Sequence, residues 1–145
     1  MSSTKRGDSN ELRLTKNPSF WSEGGLDRIH AETAGWPHLV QLVAETCIDL
    51  VNDESKPTVT PALLEKAFAK SIVRGEAVFH ELLRRESRLP GEWEYVEAFS
   101  QVESQIEPAD REIARSLRRR ELVEVEGGQW RLRVPLMRRW LIERG

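Results

Sequence analysis

The chain has 145 residues, of which 39% are hydrophobic and 32% are charged, and its formal net charge is -2. This length suits one compact domain or two very small ones, and no apolar run approaches the roughly 20 residues that a membrane-spanning helix needs. Because the N-terminus lacks the apolar stretch of a secretory signal, and the single cysteine, Cys47, cannot form an intramolecular disulfide, we expect a soluble, cytoplasmic protein.

The charges are distributed unevenly along the chain. Residues 107–145 contain ten arginines, no lysine and seven acidic residues, a net charge of +3, whereas residues 1–106 carry a net charge of -5. A basic segment of this kind is a weak indication of a polyanionic or acidic partner. The alternative is an ordinary solvated surface without a specific partner.

The first part of the chain predicts a tail followed by a helix and a turn. Residues 1–20 are polar and show no hydrophobic period, which is typical of a disordered tail or a cloning remnant. A helical pattern begins at Leu26 and ends in a turn over residues 34–37. Gly35 is suited to the positive φ of a helix C-cap, and Pro37 suits the first position of the next helix because proline has no N–H group to leave unpaired.

The next helix is the most strongly patterned part of the chain. From Leu39 to Val51, apolar residues recur at spacings of three and four, which is typical of a helix packed on two neighbours. Cys47 lies inside this apolar stripe, and cysteine is among the most often buried residue types. We therefore interpret its thiol as structural rather than reactive. Residues 52–59 are polar, contain a proline, and predict a loop.

Three more helices are predicted before residue 100. Thr60 and Pro61 form an N-cap and first-turn pair that opens a helix with apolar residues through Ile72. Another helix is predicted to begin close to Gly75, and a shorter one is predicted over residues 92–99. All predicted elements up to this point are helical.

A helix predicted over residues 107–120 carries the candidate binding residues. Ile113 and Leu117 form its apolar face, and four arginines at i, i+4, i+7 and i+8 lie together on the opposite face: Arg111, Arg115, Arg118 and Arg119. A guanidinium group donates two parallel hydrogen bonds to a carboxylate, a phosphate or a guanine edge. Asp110 and Glu112 at the start of this helix repel phosphate, which favours a protein partner over DNA.

After this helix the hydrophobic period drops to two. Gly127 and Gly128 join two alternating runs, a pattern typical of a β-hairpin with a two-residue turn. The predicted pairs are Val123 with Leu132, Glu124 with Arg131, Val125 with Trp130, and Glu126 with Gln129, which gives one apolar face and one charged face. An amphipathic helix from Pro135 to about Arg144 closes the chain.

This order of elements predicts a mainly α fold with a small β-hairpin. Three helices, a hairpin and a closing helix are typical of the winged-helix form of the helix-turn-helix, which we assign to residues 75–145. Residues 21–74 then form a separate small helical subdomain.

Four segments of the chain belong together: TAGWPHLVQ at 33–41, VTPALLEKA at 59–67, RRELV at 119–123 and RLRVPLMRRWL at 131–141. They resemble the C-terminal region of STAND-type P-loop ATPases of the AAA+ group, in which a small helical lid precedes a winged helix. The most specific pieces are the Gly-x-Pro turn and the closing helix. The resemblance implies that Gly35 and Pro37 belong to a turn that senses the state of a nucleotide bound to an ATPase core.

The chain lacks the residues of a complete ATPase. It contains neither a GxxxxGK[ST] loop nor the acidic residue at a strand end that holds the magnesium-bound water. His30, His38 and His80 have no metal-ligand spacing, so no metal site is predicted. We therefore expect a non-catalytic fragment without a cofactor of its own, and ATP with Mg²⁺ only in the parent ATPase.

The sequence thus predicts a regulatory or effector module whose lid contributes to nucleotide sensing and whose winged helix binds a protein or DNA. The implied partners are an ATPase core upstream in the same parent chain and a further protein. DNA stays open as a partner, and no membrane is expected. The alternative function is a free-standing winged-helix regulator of transcription that binds DNA.

Overall fold

The computed structural model describes residues 20–22 and 24–144. The predicted tail, residues 1–20, lies outside the described residues except for Phe20, which is buried and therefore belongs to the folded part. The chain divides into two compact units, one ending at Arg74 and the other beginning at Gly75. The described residues are mainly helical and include a two-stranded antiparallel hairpin, so the predicted fold class is confirmed at that level.

The described part of the first unit contains three helices: α1 (Gly25–Thr33), α2 (Pro37–Asp53) and α3 (Pro61–Arg74). The predicted N-cap of α3 is present, because the Leu63 N–H group donates to Thr60 Oγ1 at 3.2 Å. Helix α2 runs two residues further than predicted. It ends where Ser55 takes a left-handed conformation with φ of 53°, which lets the Lys56 N–H group donate to the Val51 carbonyl oxygen at 3.0 Å.

Helices α2 and α3 supply most of the core of the first unit. Seven of its apolar side chains that are at most 1% exposed come from these two helices: Leu39, Val43, Ala44, Cys47, Leu64, Ala67 and Phe68. Val59, just before α3, forms a short parallel bridge with Trp21, and both side chains are buried. The period of three and four seen in the sequence therefore marks the buried faces of both helices.

The second unit contains four α-helices and the hairpin. The helices are α4 (Glu76–Phe79), α5 (Glu92–Glu97), α6 (Arg111–Arg119) and α7 (Pro135–Arg144). Helix α4 continues as a π-helical turn over His80–Arg85, and α5 ends in a 3-10 turn over Ala98–Ser100. Strands β1 (Val123–Glu126) and β2 (Gln129–Leu132) lie between α6 and α7. The predicted helix at 92–99 is thus split between two helical types.

Helix α6 begins four residues later than predicted. The preceding segment is held extended, because Gln105 exchanges two backbone hydrogen bonds with Trp130, each 2.8 Å long. The Tyr95 hydroxyl also donates to the Ile106 carbonyl oxygen at 2.6 Å. Burial, followed by the nearby charge of Glu107, raises the pKa of Tyr95 to about 12, so this hydroxyl keeps its proton at neutral pH.

The hairpin has the predicted register, with Val123 opposite Leu132 and Glu124 opposite Arg131. Its turn residues, Gly127 and Gly128, both have positive φ, of 58° and 79°, as a type I′ turn requires. Val125 belongs to the predicted apolar face and is 39% exposed, because it lies close to the tip of the hairpin.

Aromatic side chains dominate the core of the second unit. Phe79 of α4 stacks on Trp140 of α7, with ring centroids 6.1 Å apart. The Trp140 indole N–H group donates to Glu76 Oε1 at 2.7 Å, which satisfies the polar atom of a buried ring. No helix among the described residues has both the length and the apolar character needed to cross a membrane.

Cys47 is expected to be unreactive in the folded protein. Burial raises the pKa of its thiol to about 12, and the thiolate is the reactive form. At about pH 8, a disulfide reagent should therefore label this thiol only as fast as the first unit opens. Above the ordinary thiol pKa of 9.0, the free energy of unfolding should fall as pH rises, because the thiol ionises in the unfolded chain first.

A Val73→Cys variant provides the matched control, because Val73 is 77% exposed. Its added thiol should react at the rate of a free cysteine, while Cys47 in the same molecule stays protected. Equal labelling rates for the two thiols under native conditions would contradict the burial of Cys47.

Candidate functional site

A tight turn connects α1 to α2 and contains two of the predicted site residues, Gly35 and Pro37. Ala34 and Gly35 both adopt left-handed conformations, with φ of 53° and 74°. Helix α1 ends at Thr33, where the predicted turn begins, and its C-cap is Ala34 rather than Gly35, although Gly35 does take the predicted positive φ. An alanine in this conformation costs about 1–2 kcal/mol. Pro37 occupies the first turn of α2, as predicted.

The backbone N–H groups of this turn are used within the turn itself. Those of Ala34 and Gly35 donate to the His30 carbonyl oxygen, and that of Gly35 also reaches Thr33 Oγ1 at 3.2 Å. The Trp36 N–H group donates to the Thr33 carbonyl oxygen at 3.1 Å. The proline that follows has no N–H group. These N–H groups are therefore already hydrogen-bonded within the turn.

The four predicted binding arginines do lie together on the exposed side of α6. We call Arg111, Arg115, Arg118 and Arg119 the arginine face; all four are exposed. The opposite side of the helix packs into the second unit through Ile113, Ala114, Ser116 and Leu117, which are buried. The helical period therefore separates the two sets of side chains as the sequence indicates.

Among the described residues, most of the arginine face has no acidic partner. Arg115 lies 3.7 Å from a carboxylate oxygen of Glu112, and both side chains are largely exposed, so this pair contributes little stability. The Arg118 guanidinium carbon lies 5.9 Å from the centre of the Trp130 ring. Within the described residues, no carboxylate forms an ion pair with Arg111, Arg118 or Arg119.

A cavity of about 260 Å³ adjoins the arginine face. Arg115 and Arg119 line it from α6, and Glu86 and Arg88 line it from the segment that precedes α5. Guanidinium groups therefore lie on both sides of this cavity, together with the carboxylates of Glu86, Glu92 and Glu112.

Asp110 has a structural role that the sequence interpretation missed. Its Oδ1 atom accepts a hydrogen bond from the Glu112 N–H group at 2.8 Å, which makes it the N-cap of α6. Both carboxylates also lie near the positive end of the helix dipole, where negative charge is stabilising. The acidic start of α6 is therefore explained by helix initiation.

A fifth arginine of this segment, Arg120, points inward and forms a buried ion pair with Glu92. The two side chains are 14% and 1% exposed, and Arg120 Nη2 lies 2.6 Å from Glu92 Oε2. The same carboxylate oxygen accepts the Ser116 hydroxyl at 2.6 Å. Arg120 also donates to the Leu82 carbonyl oxygen at 2.8 Å and to Ser87 Oγ at 3.2 Å.

The sequence analysis did not single out Glu92 and Arg120, although one signal was available for the arginine. Counted at 100° per residue, Arg120 falls on the same side of the helix as Leu117 and Ser116, away from the other arginines. A charged residue on the buried side of a helix indicates a buried partner. Nothing in the sequence identifies Glu92 as that partner, because 27 residues separate the two in the chain.

The remaining candidate groups do not converge on a site. Cys47 is fully buried. In the two described stretches, 20–22 and 24–144, no group of three or more histidine, cysteine or acidic side chains could hold a metal ion.

Comparison of the chain with family models, curated proteins and solved structures finds no match. The turn at Gly35 and the arginine face are therefore the features on which a functional proposal rests.

Replacing Arg120 by alanine should lower the free energy of unfolding by about 3–5 kcal/mol, because it leaves the Glu92 charge buried without a partner. The matched control is Arg119→Ala, which removes a neighbouring exposed arginine and should change stability by less than about 0.5 kcal/mol. Urea denaturation followed by tryptophan fluorescence measures both.

A double variant separates the ion pair from simple packing. Glu92→Leu with Arg120→Met removes both charges and keeps apolar volume, so it should recover most of the stability lost by Arg120→Ala. Equal destabilisation by Arg119→Ala and Arg120→Ala would show that losing the buried ion pair lowers the free energy of unfolding no more than losing an exposed arginine.

Proposed function

We propose that residues 21–145 form a non-catalytic regulatory module like the lid and winged helix of STAND-type ATPases. In this proposal, Gly35 and Pro37 contribute to sensing a nucleotide that an ATPase core of the same parent chain holds with Mg²⁺. The arginine face docks on an acidic protein surface. The observation that carries the proposal is the arginine face itself, four exposed arginines on one helix with a single weak ion pair among them.

The turn between α1 and α2 supports the lid assignment. It combines a left-handed glycine, Gly35, with a proline in the first turn of the following helix. Because its N–H groups are bonded internally, the turn keeps one shape and can transmit a displacement of α1 to α2 as a unit. A rigid turn of this kind suits a sensor of nucleotide state.

The order of elements in the second unit supports the winged-helix assignment. Helix α6 directly precedes the hairpin, and α7 closes the unit. The backbone of Gln105 pairs with Trp130 and so adds a third segment to the outer edge of β2. A helix next to a small sheet of this kind is the arrangement in which a helix-turn-helix presents its recognition helix.

The charges around α6 favour a protein partner over DNA. Asp110 and Glu112 lie at the N-terminal end of the helix, where recognition helices contact base edges. The exposed hairpin carries Glu124 and Glu126 beside Arg131, so it offers no net positive charge to a DNA groove. An acidic protein surface can place its carboxylates between these acids, whereas a continuous phosphate backbone cannot.

The second candidate is a free-standing winged-helix regulator of transcription. The exposure of Arg111, Arg118 and Arg119, none of which has an internal acidic partner among the described residues, favours it. Such arginines can bind phosphate oxygens or guanine edges. The two candidates differ in the ligand of the same surface, so one set of variants tests both.

The family assignment is tested by the coding sequence upstream of Met1. A STAND-type parent predicts a Walker loop, GxxxxGK[ST], in the same reading frame. A start codon at Met1 that is used in the cell, with an unrelated gene upstream, would remove the ATPase assignment.

The arginine face is expected to bind the upstream ATPase core rather than DNA. Arg111→Glu with Arg115→Glu should weaken binding of the separately produced core by about tenfold or more, because two guanidinium donors become repulsive carboxylates. Both side chains are exposed, so the fold should be retained. Isothermal titration calorimetry measures the affinity.

The matched control is Arg85→Glu with Arg131→Glu, which reverses two exposed arginines of the same unit that lie outside both the arginine face and the cavity beside it. Its affinity for the core should stay within about twofold of the unmodified chain. Duplex DNA should show no binding at about 50 mM salt. DNA binding that is lost in Arg111→Glu with Arg115→Glu would overturn the protein-docking proposal in favour of the transcriptional regulator.

A further inference from the structure

The hairpin directs one row of backbone groups away from the sheet. In an antiparallel hairpin with a two-residue turn, alternate residues of a strand exchange hydrogen bonds with the partner strand, and the residues between them point their N–H and C=O groups outward. In β1 the outward residues are Val123 and Val125. The Arg133 N–H group donates to the Leu122 carbonyl oxygen at 2.8 Å, which agrees with this alternation.

The two edges of the hairpin differ in what covers them. The outward backbone groups of Trp130 in β2 are paired with Gln105. Among the described residues, no group forms a hydrogen bond with the outward backbone groups of Val123 and Val125. We call the outward side of β1, residues 123–126, the open edge. Free N–H and C=O groups in a row can pair with a further strand.

One face of the open edge is acidic. Glu124 and Glu126 are exposed, and within the described part of the chain neither forms an ion pair. Arg131 stands across from Glu124, whereas the neutral Gln129 stands across from Glu126. Because an added strand would lie on the side of β1 away from Arg131, its side chains on this face would be next to the two carboxylates.

The other face of the open edge is apolar. Val125 is 39% exposed and stands beside the buried Trp130. The guanidinium carbon of Arg118 lies 5.9 Å from the centre of the Trp130 ring. A positive side chain added on this face would be repelled by Arg118, whereas an aliphatic one would cover the exposed part of Val125. The two faces therefore favour different side chains.

We infer that the open edge binds an extended segment of a partner protein in which basic and apolar residues alternate. The backbone of this segment pairs with Val123 and Val125 as an added strand. Its basic side chains lie beside Glu124 and Glu126, and its apolar side chains lie beside Val125. Because the side chains of a strand alternate between its two faces, this pattern places each kind on the face that suits it.

The structure of β1 permits this pairing. The strand contains no proline, lysine or bulge, which are common means of preventing strand addition. An acidic segment would bring its carboxylates beside Glu124 and Glu126. A uniformly basic segment would bring half of its side chains to the face of Arg118. The inference does not rest on the proposed function, because no arginine of the arginine face takes part in the pairing.

The test uses a fluorescein-labelled peptide in which lysine and valine alternate, titrated with the full chain at about 50 mM salt and followed by fluorescence anisotropy. Saturable binding is expected. The control is a peptide of the same composition in which all lysines precede all valines, since general attraction to acidic surfaces would treat both peptides alike. It should bind at least about fivefold more weakly.

Val125→Pro tests the backbone pairing. It removes one outward N–H group and leaves the hydrogen bonds between β1 and β2, so the hairpin should be retained. The dissociation constant of the alternating peptide should rise by about tenfold or more. Val125→Thr is the matched control, because threonine keeps the N–H group and the branched β-carbon; its dissociation constant should stay within about threefold of the unmodified chain. Circular dichroism of both variants checks that the fold is retained.

Glu124→Gln with Glu126→Gln tests the acidic face. It should raise the dissociation constant of the alternating peptide by about fivefold and reduce its salt dependence. The matched control is Glu94→Gln with Glu143→Gln, which removes two negative charges from exposed glutamates of the same unit that lie outside the hairpin. Its dissociation constant should stay within about twofold of the unmodified chain.

Absence of saturable binding, equal binding of the two peptides, or equal dissociation constants for Val125→Pro and Val125→Thr would each overturn the inference. Sedimentation equilibrium of the chain alone tests a second copy as the occupant. A dimer that is lost in Val125→Pro would show that the open edge pairs with itself and would also overturn the inference.

Discussion

The second unit is organised around one buried carboxylate. Glu92, with a side chain 1% exposed, accepts hydrogen bonds from Ser116 and Arg120, and also from the Leu89 N–H group. These bonds join the start of α5 to the last turn of α6. Arg120 also donates to the Leu82 carbonyl oxygen, which connects the same residues to the π-helical turn. Removing either charge leaves the other buried without a partner, which is strongly destabilising. A buried ion pair therefore fixes the geometry of the residues around it more than it adds net stability.

This constraint determines what α6 presents to solvent. Arg120 can reach Glu92 only if the side of the helix that carries Ser116 and Leu117 faces inward. The four arginines of the arginine face then point outward, because at 100° per residue they lie on the opposite side of α6. A charge network inside the protein thus sets the orientation of the surface that we propose for binding.

Local signals made much of the fold predictable. Paired glycines specify the hairpin turn, and alternation specifies the register from Val123 to Leu132, so both could be read from neighbouring residues. The start of α6 could not be read from neighbouring residues, because it depends on the pairing of Gln105 with Trp130, 25 positions further along the chain. The arginine face follows from a single helical period, whereas the buried ion pair joins Glu92 to Arg120, which no periodic pattern connects.

The pairing of Gln105 with Trp130 also affects how the small sheet meets other molecules. It occupies the outer edge of β2, so the open edge of the sheet is that of β1, where the backbone groups of Val123 and Val125 point away from β2. An open edge invites strand addition and aggregation. Here that edge is only four residues long and carries Glu124 and Glu126, whose like charges repel a second copy of the same strand. The hairpin is thereby protected against edge-to-edge self-association while its side chains stay available to other ligands.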